Sequence, residues 1–320
     1  MPGEQQYEFY WKITLEYSDF FGDKFRRCLA IIVEFIDEQR NIPYSPEKYE
    51  VLQERVEGVF PKADSASTRK SINQYIKLGF VSPELVSYHA ATKTFLNETN
   101  QEKKRALLSK IIYSDSSFDR SVTNKSNKKE INFLIKTLQK IGTLSRDDVL
   151  ALMTVDVSSV PEGYLDQAGL EQCRHFVTAV NFEERKYNQL NYLWGILGQL
   201  DGLVIRDNKI SPQIDTAVTG DVKESAQKKR DPYLHQIYKN QLREESKVQF
   251  DSIACMVEKL SYPSLVASHI KPFVSASETE AYDANNGLLL SRNMDLLFDQ
   301  GYIFFFKRND NYLRTLVRRC

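Results

Sequence analysis

The chain is short of the residues that would staple it or anchor it. It has four cysteines in 320 residues, and Cys28, Cys173, Cys255 and Cys320 lie far apart with no CxxC pair. That spacing supports neither a zinc knuckle nor a disulfide framework, and it suits a reducing compartment. No apolar run approaches the roughly 20 residues that span a bilayer. The start, Met1-Pro-Gly-Glu-Gln-Gln-Tyr, is polar and does not read as a signal peptide. The expectation is a cytoplasmic protein with no membrane partner. Net charge is also absent, because 43 Lys and Arg balance 43 Asp and Glu. A neutral chain has no global attraction for a polyanion, so any such affinity has to be local.

What is present is ordinary globular material, 42% hydrophobic and 27% charged, with a length that suits two or three domains. The charge is clustered. Residues 102 to 140 hold ten Lys and Arg against four Asp and Glu, and Lys223 to Lys247 holds a second cluster containing Lys228-Lys229-Arg230. Each cluster has two readings, a nucleic-acid face or a solvated helix face.

Taken in order, Tyr7 to Gln39 carries aromatic and apolar residues at helical spacing (Tyr10, Ile13, Tyr17, Phe20, then Phe25, Leu29, Ile32, Phe35), which predicts one or two scaffold helices. Pro43 to Pro46 breaks them, and Tyr49 to Val59 is a further helix. Asp64 to Thr68 offers N-caps for a helix from Arg69 to Lys77, with Ile72, Tyr75 and Ile76 on its apolar side and Gly79 at its end. This helix and its Leu-Gly-Phe-Val exit resemble the recognition helix of a winged-helix domain. The resemblance implies that Arg69, Lys70, Asn73, Gln74 and Lys77 face a major groove, where such side chains meet phosphates and base edges. The alternative is an ordinary polar face. The style recurs in Glu130 to Gly142 followed by Leu144 to Met153. It recurs again in a helix over 183–200 followed by Gly202 to Ile210, where an Asp207-Asn208 turn joins two short strands as a wing. The style thus appears two or three times at irregular period, a shared supersecondary style and not a repeat array, and some copies can equally be helical scaffold. Residues 214–231 are polar and read as a linker. A helix restarts at Pro232 and runs to about Lys247, with His235 on it in a structural role.

The C-terminal part holds the chemistry. Val266 to Ile270 is a short apolar strand ending at Pro272; Asn286-Gly287 is a turn signal; Leu288 to Leu290 is the returning strand. Residues 292 to 299 read as a short helix, on which Asp295 and Asp299, four apart, share one face. Tyr302 to Phe306 is a last β segment, and Arg314 to Arg319 belong to a basic tail.

His269, Asn286, Asp295 and Asp299 in strand, loop and helix resemble the HNH nucleases, whose core is the ββα-metal fold, over roughly residues 250 to 306. The resemblance implies that His269 is the general base that activates water, and that Asn286 orients it or supports the metal. It implies that Asp295 binds the metal, with Asp299 one turn on. Lys271 and Arg292 would add positive charge at the phosphate. Two positions depart from the pattern. Ser268 stands where many such sites have a ligand, and Asp295 stands where the usual residue is His. Oxygen ligands suit Mg²⁺ or Mn²⁺, and this set predicts weak metal binding without DNA.

The fold expected is therefore α+β. A DNA-recognition region over 1–213 is α-rich with winged-helix-like elements, a linker covers 214–231, and an HNH nuclease domain covers 232–320. The function expected is that of a type II restriction endonuclease cutting double-stranded DNA as a homodimer, since a palindromic target needs two sites. Two rivals stay open: a modification-dependent nuclease that recognises methylated bases, and a DNA-binding regulator with a decayed nuclease domain, the reading that Ser268 and Asp295 keep alive.

Overall fold

The computed structural model describes residues 11–62, 64–213, 218–220, 229–307 and 313–317. The chain divides into two compact units, Met1–Gln213 and Ile214–Cys320.

The first unit is helix-rich. Its helices are α1 (Asp23–Glu38), α2 (Pro46–Val59), α3 (Ser65–Lys77), α4 (Thr92–Asn97), α5 (Gln101–Asp115), α6 (Glu130–Ile141), α7 (Arg146–Leu152), α8 (Gln167–Ala179) and α9 (Phe182–Gln199). Its strands are β1 (Leu144–Ser145), β2 (Leu203–Arg206) and β3 (Lys209–Pro212). Helix α1 buries Phe25, Leu29, Ile32, Phe35 and Ile36, the 3.6-residue stripe seen in the sequence. Around Phe25 the rings of Phe20, Tyr75, Phe80 and Phe95 lie with centroids 4.7 to 6.4 Å away.

The expected helix over the first aromatic stretch does not form in the described residues 11–22, and Tyr7 and Tyr10 lie outside them. The reason is Gln74. Its Oε1 accepts from the backbone N–H groups of Glu16 (2.8 Å) and Tyr17 (2.9 Å), and its Nε2 donates to the Tyr17 carbonyl (2.6 Å). A buried amide thus satisfies backbone groups that a helix would have paired internally.

The same contacts correct the expected recognition face of α3. Gln74 is fully buried. Asn73 Oδ1 accepts from the Val122 N–H at 2.9 Å, and Lys77 Nζ donates to the Lys12 carbonyl at 2.7 Å. Burial pushes the Lys77 amine down to about 8. Only Arg69 and Lys70 of the five are exposed. No hairpin follows α3: Val81 makes an isolated bridge with Tyr88, around a 3₁₀ turn at Pro83–Leu85.

The two later modules share one sheet. β1 pairs antiparallel with β3 (Leu144 opposite Ile210), and β3 pairs with β2 through the Asp207-Asn208 turn, giving the sheet order β1-β3-β2. Both turn residues have positive φ, 50° and 56°, as a two-residue hairpin with right-handed strand twist requires. Helices α6, α7 and α9 pack against this sheet or its connections.

The second unit contains β4 (Val218–Gly220), α10 (Pro232–Phe250), β5 (Leu265–His269), α11 (Glu278–Ala281), β6 (Gly287–Leu290), α12 (Arg292–Asp299), β7 (Ile303–Lys307) and β8 (Leu313–Val317). β4 runs parallel to β5, so part of the expected linker is a strand; Lys228 lies outside the described residues. β5 and β6 are antiparallel, with His269 opposite Gly287. The Asn286-Gly287 turn is not formed as expected. Gly287 is extended (φ −128°, ψ 155°) and already belongs to the strand, while the reversal runs through residues 270–286. β7 pairs with β8, so Arg314 lies in a strand and not in a tail; Arg318 and Arg319 lie outside the described residues.

Candidate active site

β5 is buried along its whole length because α10 packs on it and α12 packs on it too. That explains why its sequence shows no polar alternation. His269 ends this strand, 6% exposed. Its ring lies nearly parallel to that of Tyr238 from α10 (4.7 Å between centroids, 14°), and Phe273 meets it edge-on at 5.6 Å. His235 continues the stack, 5.9 Å from Tyr238 and 12° from the plane of His269. Tyr238 also donates its hydroxyl to the Ser268 carbonyl at 2.9 Å. One aromatic side chain therefore fixes both the backbone before His269 and the plane of its imidazole.

The His269 Nε2 lies 3.0 Å from the Ala281 carbonyl oxygen. A carbonyl only accepts, so Nε2 carries the proton and Nδ1 is the basic nitrogen of the neutral ring. Holding one ring nitrogen on a backbone carbonyl fixes the orientation of the imidazole, as a general base requires.

The close approach of α10 depends on one residue. A Cβ at Gly287 would lie 2.5 Å from Tyr238 Oη and 2.8 Å from Leu242 Cδ2. Only hydrogen fits there, so β6 can carry nothing larger opposite His269.

Asn286 closes the loop between β5 and β6. Its Oδ1 accepts from the Lys271 N–H (2.7 Å), its Nδ2 donates to the carbonyls of Lys271 (3.1 Å) and Glu280 (3.2 Å), and its own carbonyl accepts from the Ile270 N–H (2.9 Å). Lys271 Nζ lies 2.7 Å from Glu280 Oε2, with both side chains about half exposed. That ammonium, with help from the Ser277 N–H, holds the Glu280 carboxyl down at about 2. The structure thus gathers His269, Lys271 and Asn286 around α11, and the positive charge of Lys271 is matched by Glu280.

Helix α12 starts at Ser291, whose Oγ accepts from the Met294 N–H and donates to Glu258 at 2.5 Å. Asp295 sits half-buried in the first turn, where the positive end of the helix dipole favours a carboxylate. Asp299 is exposed in the last turn, where the dipole opposes it, and Arg292 is exposed at the start. Ser268 is buried, and strand alternation directs its side chain to the other face from His269. Among the described residues, no three His, Cys, Asp or Glu side chains converge as a metal-binding group. The donors of α12 are hard oxygens. They fit a cation such as Mg²⁺, which keeps several waters and binds through one or two carboxylates plus substrate phosphate.

Comparison with known families gives one result. Residues 255–305 match the family model described as HNH endonuclease. This stretch is thus similar to HNH endonucleases, which supports the HNH nuclease family for the second unit. The match begins after α10 and ends within β7, so it covers β5, the Asn286 loop and α12. No curated protein and no solved structure gave a match. The HNH match supports a nuclease that acts on DNA, and nucleases of this kind are generally dependent on divalent metal. No helix among the described residues is long and apolar enough to cross a membrane.

Two contributors were missed by the sequence reading. Tyr238 lies on the buried stripe of α10 with Leu234, Ile237 and Leu242 and looked like core. Arg230, one of three adjacent cations, lies over the Phe273 ring at 4.9 Å, beside the imidazole stack. The strand glycine, Gly287, was the available clue that a helix comes close to β6.

Proposed function

We propose that the protein is a metal-dependent DNA endonuclease of the restriction type, in which the second unit cuts and the first unit selects the site. The observation that carries the nuclease reading is the state of His269: buried, clamped between Tyr238 and Phe273, with Nε2 committed to the Ala281 carbonyl. His269 Nδ1 accepts a proton from water as the water oxygen attacks phosphorus. The bond from phosphorus to the 3′ oxygen breaks in line, and the leaving 3′ oxide takes a proton from a second water, giving a 5′ phosphate and a 3′ hydroxyl. A divalent cation held by Asp295 and Asp299 would supply Lewis-acid stabilisation of the charge on phosphorus and on the leaving oxygen. Asn286 keeps the loop after His269 in place, and Arg292 adds charge at the rim.

For the first unit, what supports a winged-helix-like recognition module is the order of residues 130–212, α6, β1, the three helices α7 to α9 and then the β2–β3 hairpin, with β1 closing on β3; α8 is an insertion relative to the simple winged-helix order. A palindromic target would be cut by a homodimer.

The test is a cleavage assay on methylated and unmethylated phage DNA with Mg²⁺ or Mn²⁺, run beside His269→Ala and beside a chelator. Discrete fragments that vanish in the variant and with chelator support the proposal. Cleavage of methylated DNA alone would move the reading to a modification-dependent nuclease. Tight DNA binding without cleavage by the wild type would sink the nuclease reading and put a DNA-binding regulator in its place.

A further inference from the structure

Helix α3 was the expected DNA-reading element, and three of its five candidate side chains are consumed inside the fold. The first unit has another surface whose composition its own fold does not explain. At the tip of the β2–β3 hairpin, Arg206 and Lys209 are directly opposite each other and both are exposed. Like charges across a strand pair repel. Among the described residues neither has an acidic partner within ion-pair distance.

The hairpin is tied to α9 through α7. The Arg146 N–H, at the start of α7, donates to the Asn208 carbonyl at 3.0 Å. The Arg146 guanidinium bonds to Asn191 Oδ1 and lies over the Trp194 ring at 5.6 Å. Arg146 thus joins the hairpin to one side of α9, with Lys209 opposite the neighbouring Ser145 and Arg206 one strand further on.

The outer face of α9 carries Asn188, Tyr192 and Gly195 at helical spacing, all exposed, with Asn191 half-exposed beside them. Gly195 is the informative member. Glycine inside a helix costs roughly 0.5–1 kcal/mol relative to alanine. A Cβ there would meet nothing within 4 Å, so packing within the chain does not require its absence. A missing side chain on an exposed helix face leaves room for close approach from outside.

We propose that the β2–β3 hairpin and the outer face of α9 form a docking surface for double-stranded DNA, with Arg206 and Lys209 on backbone phosphates and Asn188 and Tyr192 toward the groove. This deepens the nuclease reading and rests on it for the identity of the partner. The charge complementarity is local: on a chain whose net charge is zero, the hairpin tip carries Arg206 and Lys209 against the one exposed carboxylate of Asp207, leaving it net positive. Phosphates offset the repulsion of the Arg206–Lys209 pair, the Asn188 side chain can match the donor and acceptor pattern of base edges, and Gly195 lets the helix axis come close.

The test uses full-length His269→Ala protein, which removes cutting, and a fluorescein-labelled mixed-sequence duplex of about 30 bp, with affinity measured by anisotropy across a KCl series. Arg206→Ala/Lys209→Ala should weaken binding about tenfold or more and lower the slope of log K against log salt by about 2, one per lost phosphate contact. Lys209→Glu should do more, and thermal melting of each variant checks folding. Gly195→Leu should weaken binding with the salt slope unchanged. Unchanged affinity in the double variant would overturn the proposal, as would a larger loss in Arg69→Ala/Lys70→Ala. Tighter binding to single-stranded RNA would overturn the choice of partner. Cleavage by the parent protein is followed separately. Cleavage with no dependence on Arg206 and Lys209 removes this surface alone, and dependent binding without cleavage removes the nuclease reading alone.

Discussion

Asn286 gives the sharpest prediction, because its side-chain amide has three backbone partners that differ in what they need. Its Oδ1 accepts from the Lys271 N–H, and its Nδ2 donates to two carbonyls, those of Lys271 and Glu280. Asn286→Ala removes all three bonds. At a net 0.5–1.5 kcal/mol each, discounted because the site is half-exposed and water can replace part of the pairing, the loss is about 2 kcal/mol. In a domain of this size that lowers the midpoint of the unit-2 transition by about 8–16 °C. Asn286→Asp is nearly isosteric but turns a donor into an acceptor that faces two carbonyl oxygens. It should therefore be less stable than the alanine variant at pH 7 and should recover part of the difference near pH 4, where a protonated carboxyl donates again. The loop that Asn286 holds carries the Ala281 carbonyl that fixes His269, so cleavage should fall about 100-fold in both variants. Calorimetry with a parallel cleavage assay checks this. If Asn286→Asp melts at or above Asn286→Ala, the donor assignment is wrong. If cleavage collapses while both melt like wild type, Asn286 acts in the chemistry itself and does not position the loop.

Three further outcomes follow from the geometry. Gly287→Ala should destabilise the second unit by about 1–3 kcal/mol through the 2.5 Å clash with Tyr238 Oη, and should reduce cleavage by displacing the ring that stacks on His269; thermal melting and initial rates read both effects. Gln74→Ala should lower the melting point of the first unit by the equivalent of about 2–3 kcal/mol, because it leaves the buried N–H groups of Glu16 and Tyr17 without their acceptor, and it should leave the salt dependence of DNA binding unchanged. Glu130 is buried, accepts from the Phe118 N–H, and is pushed by burial up to about 7 from an ordinary value of 4.5. Its folded form therefore holds a proton that the unfolded chain releases, and stability falls as pH rises from about 4.5 to 7. Glu130→Gln keeps the acceptor without the charge. Its stability relative to wild type should rise across that window by up to about 3 kcal/mol, which denaturant unfolding at pH 5 and pH 8 would show.

What the sequence disclosed follows the range of the interactions involved. Strand β5 was legible as a short apolar run closed by Pro272, and α12 as a short helical run over residues 292 to 299, because both signals are local. The Asn286-Gly287 pair was misread for the same reason. Asn-Gly is the usual signature of a tight hairpin turn, but here glycine is required because a Cβ would lie 2.5 Å from Tyr238 Oη and 2.8 Å from Leu242 Cδ2 of α10, contacts that no local pattern contains. Tyr238 was invisible as a site residue because an aromatic residue on a helix stripe is most often core, and this one is core and site at once. The same logic explains α3. Arg69, Lys70, Asn73, Gln74 and Lys77 have the composition of a groove-reading helix, and composition cannot say whether an amide faces solvent or the backbone of residues 16 and 17. The hairpin offers a stronger kind of signal. A buried glutamine is explained by the partners it has, whereas paired exposed cations at Arg206 and Lys209 and an exposed helical glycine at Gly195 each carry a local cost with no return inside the first unit. Features that cost stability and gain nothing within the fold are where an external partner leaves its mark, and on this surface the charge they carry is that of a phosphate-binding face.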